Sequence, residues 1–216
     1  RFFIYGDVNI NSDIDWLFIQ NHLVGSVQVN ISIQANFFGG FLILESPDED
    51  TKFTLMSDLE VSRLELINGL FDTEGHQLDI GEIRAGSLVE PGNSVLNFRD
   101  SKVYSTRFAV FASSEIDATE CEIHIIGDVG GVSNLFFGGE RQYHKVYFEG
   151  EIDRVKDNNY FHEFHVLAGS SVALEPDETQ YADQFFFQGT SEDPISIYSR
   201  EEGEAAIINQ SSGTVT

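Results

Sequence analysis

The feature that most constrains this chain is the run Val27, Val29, Ile31, Ile33, which alternates residue by residue with Gln28, Asn30, Ser32 and Gln34. Successive side chains of a strand point to opposite faces, so a strict period of two marks a strand with one buried and one wetted face. Shorter alternations recur at Phe53/Leu55, Leu59/Val61, Leu64/Leu66, Leu78/Ile80, Ile123/Ile125, Val146/Phe148, Phe164/Val166, Val172/Leu174 and Ile195/Ile197. Gly39-Gly40, Asn68-Gly69, Pro91-Gly92, Gly130-Gly131 and Gly138-Gly139 punctuate them as turns. The 3.6-residue period of an amphipathic helix is almost absent. The chain is expected to be all-β.

Strand length separates the all-β architectures. A β-sandwich wants strands of about five to eight residues at a spacing of roughly 8–12. Here many strands are shorter and are broken by a single polar corner, as in the stretch from Phe53 to Leu66. Three short strands and two corners make most of one turn of a triangular coil. Coils stacked about 4.8 Å apart bury a continuous apolar column. The 19 phenylalanines suit such an interior, where rings stack along the axis. The expectation is a right-handed parallel β-helix, a solenoid in which residues 1–216 form one repeat domain, with a β-sandwich as the alternative. At 216 residues the core needs neither disulfides nor a metal.

Charge narrows the partners. The chain carries 36 Asp and Glu against 12 Lys and Arg, a formal net charge of −24. Such a surface repels phosphate backbones and anionic lipid, so no nucleic-acid partner is expected. No apolar run reaches the roughly 18–20 residues of a membrane helix, so no membrane insertion is expected. Cys121 is the single cysteine, which rules out an intrachain disulfide. It lies in an alternating strand and reads as a small buried residue rather than a nucleophile.

The segment from Phe53 to Ile80, FTLMSDLEVSRLELINGLFDTEGHQLDI, resembles a repeat of large secreted and cell-surface proteins of Bacteroidetes-type bacteria. Four further stretches, Ser94–Phe98, Glu115–Gly127, Phe136–Gly150 and Phe185–Val215, resemble later segments of that repeat in the same order. The resemblance covers roughly residues 50–216. Residues 1–50 match less well, although FIYGDVNINSDI at Phe3–Ile14 fits an incoming coil. One departure is that Glu and Asp stand where relatives carry Ser, Thr and Gly. The resemblance implies a parallel β-helix exported by the type IX secretion route, in a chain of which this is a fragment. It also implies a secreted or outer-membrane-associated location.

The titratable groups offer few arrangements that could carry chemistry. His76 follows Asp72-Thr73-Glu74-Gly75, which reads as a turn: Gly75 supplies positive φ and Asp72 caps it. In Phe161-His162-Glu163-Phe164-His165-Val166, alternation puts His162 with Phe164 and Glu163 with His165, so the two histidines cannot chelate one ion. The acidic stretches Pro47–Asp50 and Glu175–Glu178 lack the spacing of a calcium loop and read as solvated corners. Asp13/Asp15 and Glu149/Glu151/Asp153 supply carboxylate pairs of the kind glycosidases need, but 36 acidic residues produce such pairs by chance. No nucleophile elbow, phosphate loop or dinucleotide fingerprint is present. Accordingly no catalytic, cofactor-binding or metal residue is assigned, and no cofactor is expected.

The function expected is that of a structural and adhesive module, not an enzyme. It would space or present other domains of the same long chain, with surface polysaccharide or secretion machinery as further partners. The alternatives are a carbohydrate-binding or polysaccharide-degrading β-helix, with Tyr143 and Tyr147 stacking on sugars, and a secretion-system cargo.

Overall fold

A computed structural model describes residues 2–5, 7–10, 20–24, 28–33, 40–46, 50–86, 93–111, 113–127 and 133–210. These residues form twenty strands and no helix. Each strand pairs with the strand two further along the chain rather than with its immediate neighbour, and the partners run parallel. The chain is therefore a parallel β-solenoid, of about 7 turns. Consecutive strands joined by tight turns would pair antiparallel, so these ladders exclude the sandwich alternative.

Packing groups the residues into two units. The first comprises Arg1–Val103 with Val110–Ala118, the second Tyr104–Ala109 with Thr119–Thr216.

In the first unit, Phe41–Glu45 lies beneath Leu59–Leu66, which lies beneath Leu78–Ala85. Register places Leu42, Leu64 and Ile83 in one column and Leu44, Leu66 and Ala85 in another, all buried. A second face stacks Val29, Phe53, Phe71 and Leu96. Val29 and Ile31 are buried as the alternation requires, whereas Val27 and Gln34 lie outside the described residues.

Corners carry the polar residues, and these too bond from coil to coil. Thr73 donates from Oγ1 to the carbonyls of Asn97 and Phe98 at 3.1 and 3.0 Å. Ser94 and Ser114 share a hydroxyl bond of 2.6 Å. Lys52, Asp72 and Arg99 come from three successive coils, and the Asp72 carboxylate is almost fully covered. Arg99 grips it from Nε and Nη2, each at 2.7 Å, and Lys52 Nζ lies at 2.8 Å. Burial disfavours the Asp72 carboxylate, but the bonds from Arg99 and Lys52 outweigh it and hold its acid far below the usual range.

The expected turn after Asp72 is present. His76 N–H donates to the Thr73 carbonyl at 3.0 Å, and Glu74 N–H to Asp72 Oδ1 at 3.1 Å. Glu74 and Gly75 have φ of 51° and 80°, the mirror-image turn that favours glycine at its second position. A Cβ on Gly75 would come within 2.6 Å of Asp100 Oδ1.

In the second unit the interior is aromatic. Phe108 stacks on Phe136 with ring centroids 5.3 Å apart, Phe148 lies 4.8 Å from Phe164, and Phe164 lies 5.4 Å from Phe185. Cys121 is fully buried, as its alternating strand predicts.

These columns make a specific demand on core residues. Phe71 is fully buried between the Phe53 and Leu96 rungs, so Phe71→Ala should cost about 3–5 kcal/mol. Met56 is 54% exposed, and Met56→Ala should change stability by about 0.5 kcal/mol or less. Urea unfolding followed by circular dichroism measures both; similar losses at the two positions would contradict the assigned column.

Candidate functional site

The outward face of the second unit concentrates its aromatic and ionisable side chains. Gln142–Glu149, Tyr160–Val166 and Thr179–Phe187 make most of it, and Tyr104, Thr119 and His124 join from the strands Lys102–Val110 and Ser114–Ile126. The first three pair in parallel register, so Gln142, Tyr160 and Tyr181 share a column, as do Lys145, Glu163 and Gln184, and Tyr147, His165 and Phe186. Coils rise by about 4.8 Å, close to the separation at which flat rings stack.

Two ring columns result. In the first, Tyr160 and Tyr181 stack with centroids 4.7 Å apart and planes 8° apart. Beside them His144 stacks on His162 at 5.4 Å, and His162 Nδ1 lies 3.0 Å from Asp183 Oδ2. With Thr119, Gln142, Tyr143 and Phe161 these residues line an open groove of about 490 Å³. Tyr160 is 45% exposed.

The second column runs Tyr104, His124, Tyr147, His165, Phe186, with successive centroids 4.7, 4.4, 4.2 and 4.4 Å apart. It is largely covered: His165 is only 6% exposed. His165 Nε2 lies 2.8 Å from Glu163 Oε2, and Lys145 Nζ lies 3.4 Å from the other oxygen of that carboxylate. His124 Nδ1 lies 2.6 Å from Glu149 Oε1. Burial lowers the pKa of His165, more than the neighbouring Glu163 raises it. A neutral ring that donates from Nε2 to Glu163 satisfies that pair and leaves Nδ1 bare, and Nδ1 is buried without a hydrogen-bond partner. Glu163 is itself opposed by burial, but the bond to His165 and the charge of Lys145 bring its acid below the usual carboxylate value.

Several sequence expectations need correction here. Phe164 is buried while His162 points outward, so they do not share a face. The strand turns a corner at His162 and Glu163, where two successive residues face out and the alternation restarts. Glu163 and His165 do share a face, as expected. Tyr143 is not a surface ring: it is 2% exposed and its hydroxyl donates to the Gly138 carbonyl at 2.7 Å. Its phenol is pushed well up by burial. Tyr147 lies within the covered column, between His124 and His165.

Nor do Glu149, Glu151 and Asp153 form one row. Gly150, at φ 78°, separates two strands between Glu149 and Glu151. Glu149 turns to His124, whereas Asp153 Oδ2 accepts the Asn134 N–H at 2.7 Å.

The acidic corner at Glu175–Glu178 is engaged by the coils. Glu175 Oε1 accepts from Arg154 Nη2 at 2.6 Å, and Arg200 Nη1 lies 3.8 Å from Oε2. Glu178 Oε2 accepts from the Asp157 N–H. His76 lies 3.5 Å from the Asp58 carboxylate. Asp13, Asp15, Pro47, Asp48 and Glu49 lie outside the described residues. Among the described residues no three His, Cys, Asp or Glu side chains converge as metal ligands.

Tyr160, Tyr181, His144 and Asp183 escaped sequence reasoning. Their signal is recurrence at one position in consecutive coils, and coils of unequal length conceal it.

The buried imidazole has a measurable consequence. Above about pH 6.5 both folded and unfolded His165 are neutral. As pH falls below that, the unfolded chain takes up the proton first, and stability is lost until the lower folded value is reached. Glu163 adds a second loss in the same direction, at the still lower pH where its carboxylate protonates. The His165→Phe variant should therefore lose less stability than the parent between about pH 7 and pH 5.5. Urea midpoints at the two pH values check this; equal losses would refute it.

Compared with protein-family models, curated proteins and solved structures, this chain matches none, so its chemistry rests on its own geometry.

Proposed function

We propose that this chain is a structural and adhesive module of a secreted or cell-surface protein, a stiff spacer that also offers a contact surface. The observation that carries this reading is where the reactive side chains are spent. Asp72, Glu175, Glu178, Asp153 and Asn159 bond to neighbouring coils. Groups held in this way join coils and are poorly placed for turnover.

The ordered resemblance to a secreted Bacteroidetes-type repeat supports the same reading, with type IX export as its finer form. Its first segment, Phe53 to Ile80, falls on strands Lys52–Leu55, Leu59–Leu66, Gly69–Asp72 and Leu78–Ala85.

The proposed mechanism is mechanical. Main-chain ladders between coils share an applied load over many hydrogen bonds, and a net charge of −24 keeps neighbouring copies apart. Other domains of the same chain, surface polysaccharide and secretion machinery are the partners proposed.

The chain immobilised on beads should retain polysaccharide or cell-envelope material without consuming it, with or without calcium. Reducing ends and unsaturated sugars in the supernatant measure turnover. Product formation that disappears in Asp13→Ala, Asp15→Ala, Glu149→Ala or Glu151→Ala would move the chain to the polysaccharide-degrading alternative.

A further inference from the structure

We propose that the groove beside Tyr160 and Tyr181 is a binding site for an extended, uncharged glycan chain. The inference rests on the contact-module reading and gives that contact a ligand class and a place.

Tyr160 and Tyr181 stand in register on consecutive coils, stacked 4.7 Å apart and nearly parallel. Tyr160 is 45% exposed although Tyr181 stacks on it. In the preceding coil the same register position holds Gln142 rather than a third ring, so no aromatic closes the other side of Tyr160. An amide there can hydrogen-bond a hydroxyl while the ring beside it meets a C–H face. A pyranose presents both, an apolar C–H face and an equatorial rim of hydroxyls.

The polar lining suits hydroxyls. His162 and Asp183 form a 3.0 Å pair, and their side chains are 48% and 44% exposed. An imidazole and a carboxylate together offer a donor and acceptors within one hydrogen-bond length, as a diol requires. His144 stacks beneath His162 and continues the row into the preceding coil. A pyranose residue is about as long as a coil is high, about 4.8 Å. Because the two rings face each other, one sugar would stack on the Gln142 side of Tyr160 while the next follow the outer ring edges of Tyr160 and Tyr181.

Charge decides between glycan classes. No Lys or Arg lines the groove, Asp183 lies in it, and the whole chain carries −24. Uronates and sulfated sugars would lack a counter-charge and meet repulsion. Proline-rich peptides also dock on aromatic surfaces, but they lack the hydroxyl rim that the His162–Asp183 pair matches.

The test uses the full chain with cellohexaose and chitohexaose as neutral probes, oligogalacturonate as the anionic one, and a proline-rich peptide. Titration calorimetry should show binding of at least one neutral probe and of neither other ligand. Tyr160→Ala and Tyr181→Ala should each weaken that binding about tenfold, and Asp183→Asn should weaken it less than either. Tyr198→Ala, which removes a tyrosine 45% exposed outside the groove, should leave it unchanged. Urea midpoints of the variants establish that the fold persists.

The proposal is overturned if neither neutral probe binds at millimolar concentration. It is also overturned if the Tyr160→Ala/Tyr181→Ala double variant binds like the parent, or if oligogalacturonate or the peptide binds as well. Retention on polysaccharide that survives the double variant would remove this site and leave the contact reading standing. Cleavage of either neutral probe would remove the contact reading instead.

Discussion

The in-register parallel ladder between coils is the interaction on which everything else in this protein depends. It satisfies the main-chain N–H and C=O groups of one strand with those of the strands on either side, so no hairpin is needed. It also imposes a rule on side chains: whatever sits at one position has its counterpart directly above it. Apolar over apolar builds the Leu42, Leu64, Ile83 column and the Phe53, Phe71 pair. A buried polar group placed in such a column finds its nearest partners in the adjoining coils, and an unpaired one costs about 1–3 kcal/mol. Thr73 meets the Asn97 and Phe98 carbonyls, Ser94 meets Ser114, and Asn159 Nδ2 donates to Gln180 Oε1 at 3.0 Å.

The same rule governs charge. With three acidic residues to every basic one, the chain cannot pair all its carboxylates. Two enclosed carboxylates each draw more than one of its cations. Asp72 has two, Lys52 and Arg99, one from each adjoining coil, and Glu175 has Arg154 with Arg200 farther off. Among the described residues most other carboxylates remain at the surface, where water screens them and like charge discourages association.

On the outside of the second unit, ladder spacing creates the surface on which the functional reading rests. Rings at equivalent positions stack because the coil rise is close to an aromatic contact distance. One column is covered and ties down a buried imidazole. The other, Tyr160 over Tyr181, stays open beside the His162–Asp183 pair. Neither requires a loop or a cleft between domains. Repetition alone lines up chemistry that is scattered along the sequence.

Period-two alternation by itself determined that the chain is all-β, that Val29, Ile31, Leu64 and Phe148 face inward, and that Cys121 is buried. Local turn chemistry likewise determined the Asp72–His76 turn. These properties were legible because each depends on residues within a few positions of one another. The sequence did not reveal that His162 and Phe164 part company at a corner, that Tyr143 turns inward, or that Gly150 splits Glu149 from Glu151. Alternation states inside or outside only while a strand runs straight, and a corner resets it without a fixed signature. Nor did the sequence show which residues share a column. Tyr147, His165 and Phe186 stack as neighbours although unequal stretches of chain separate them. Coil length varies with each corner, and only the hydrogen-bonded register of the folded ladder decides which side chain stands over which.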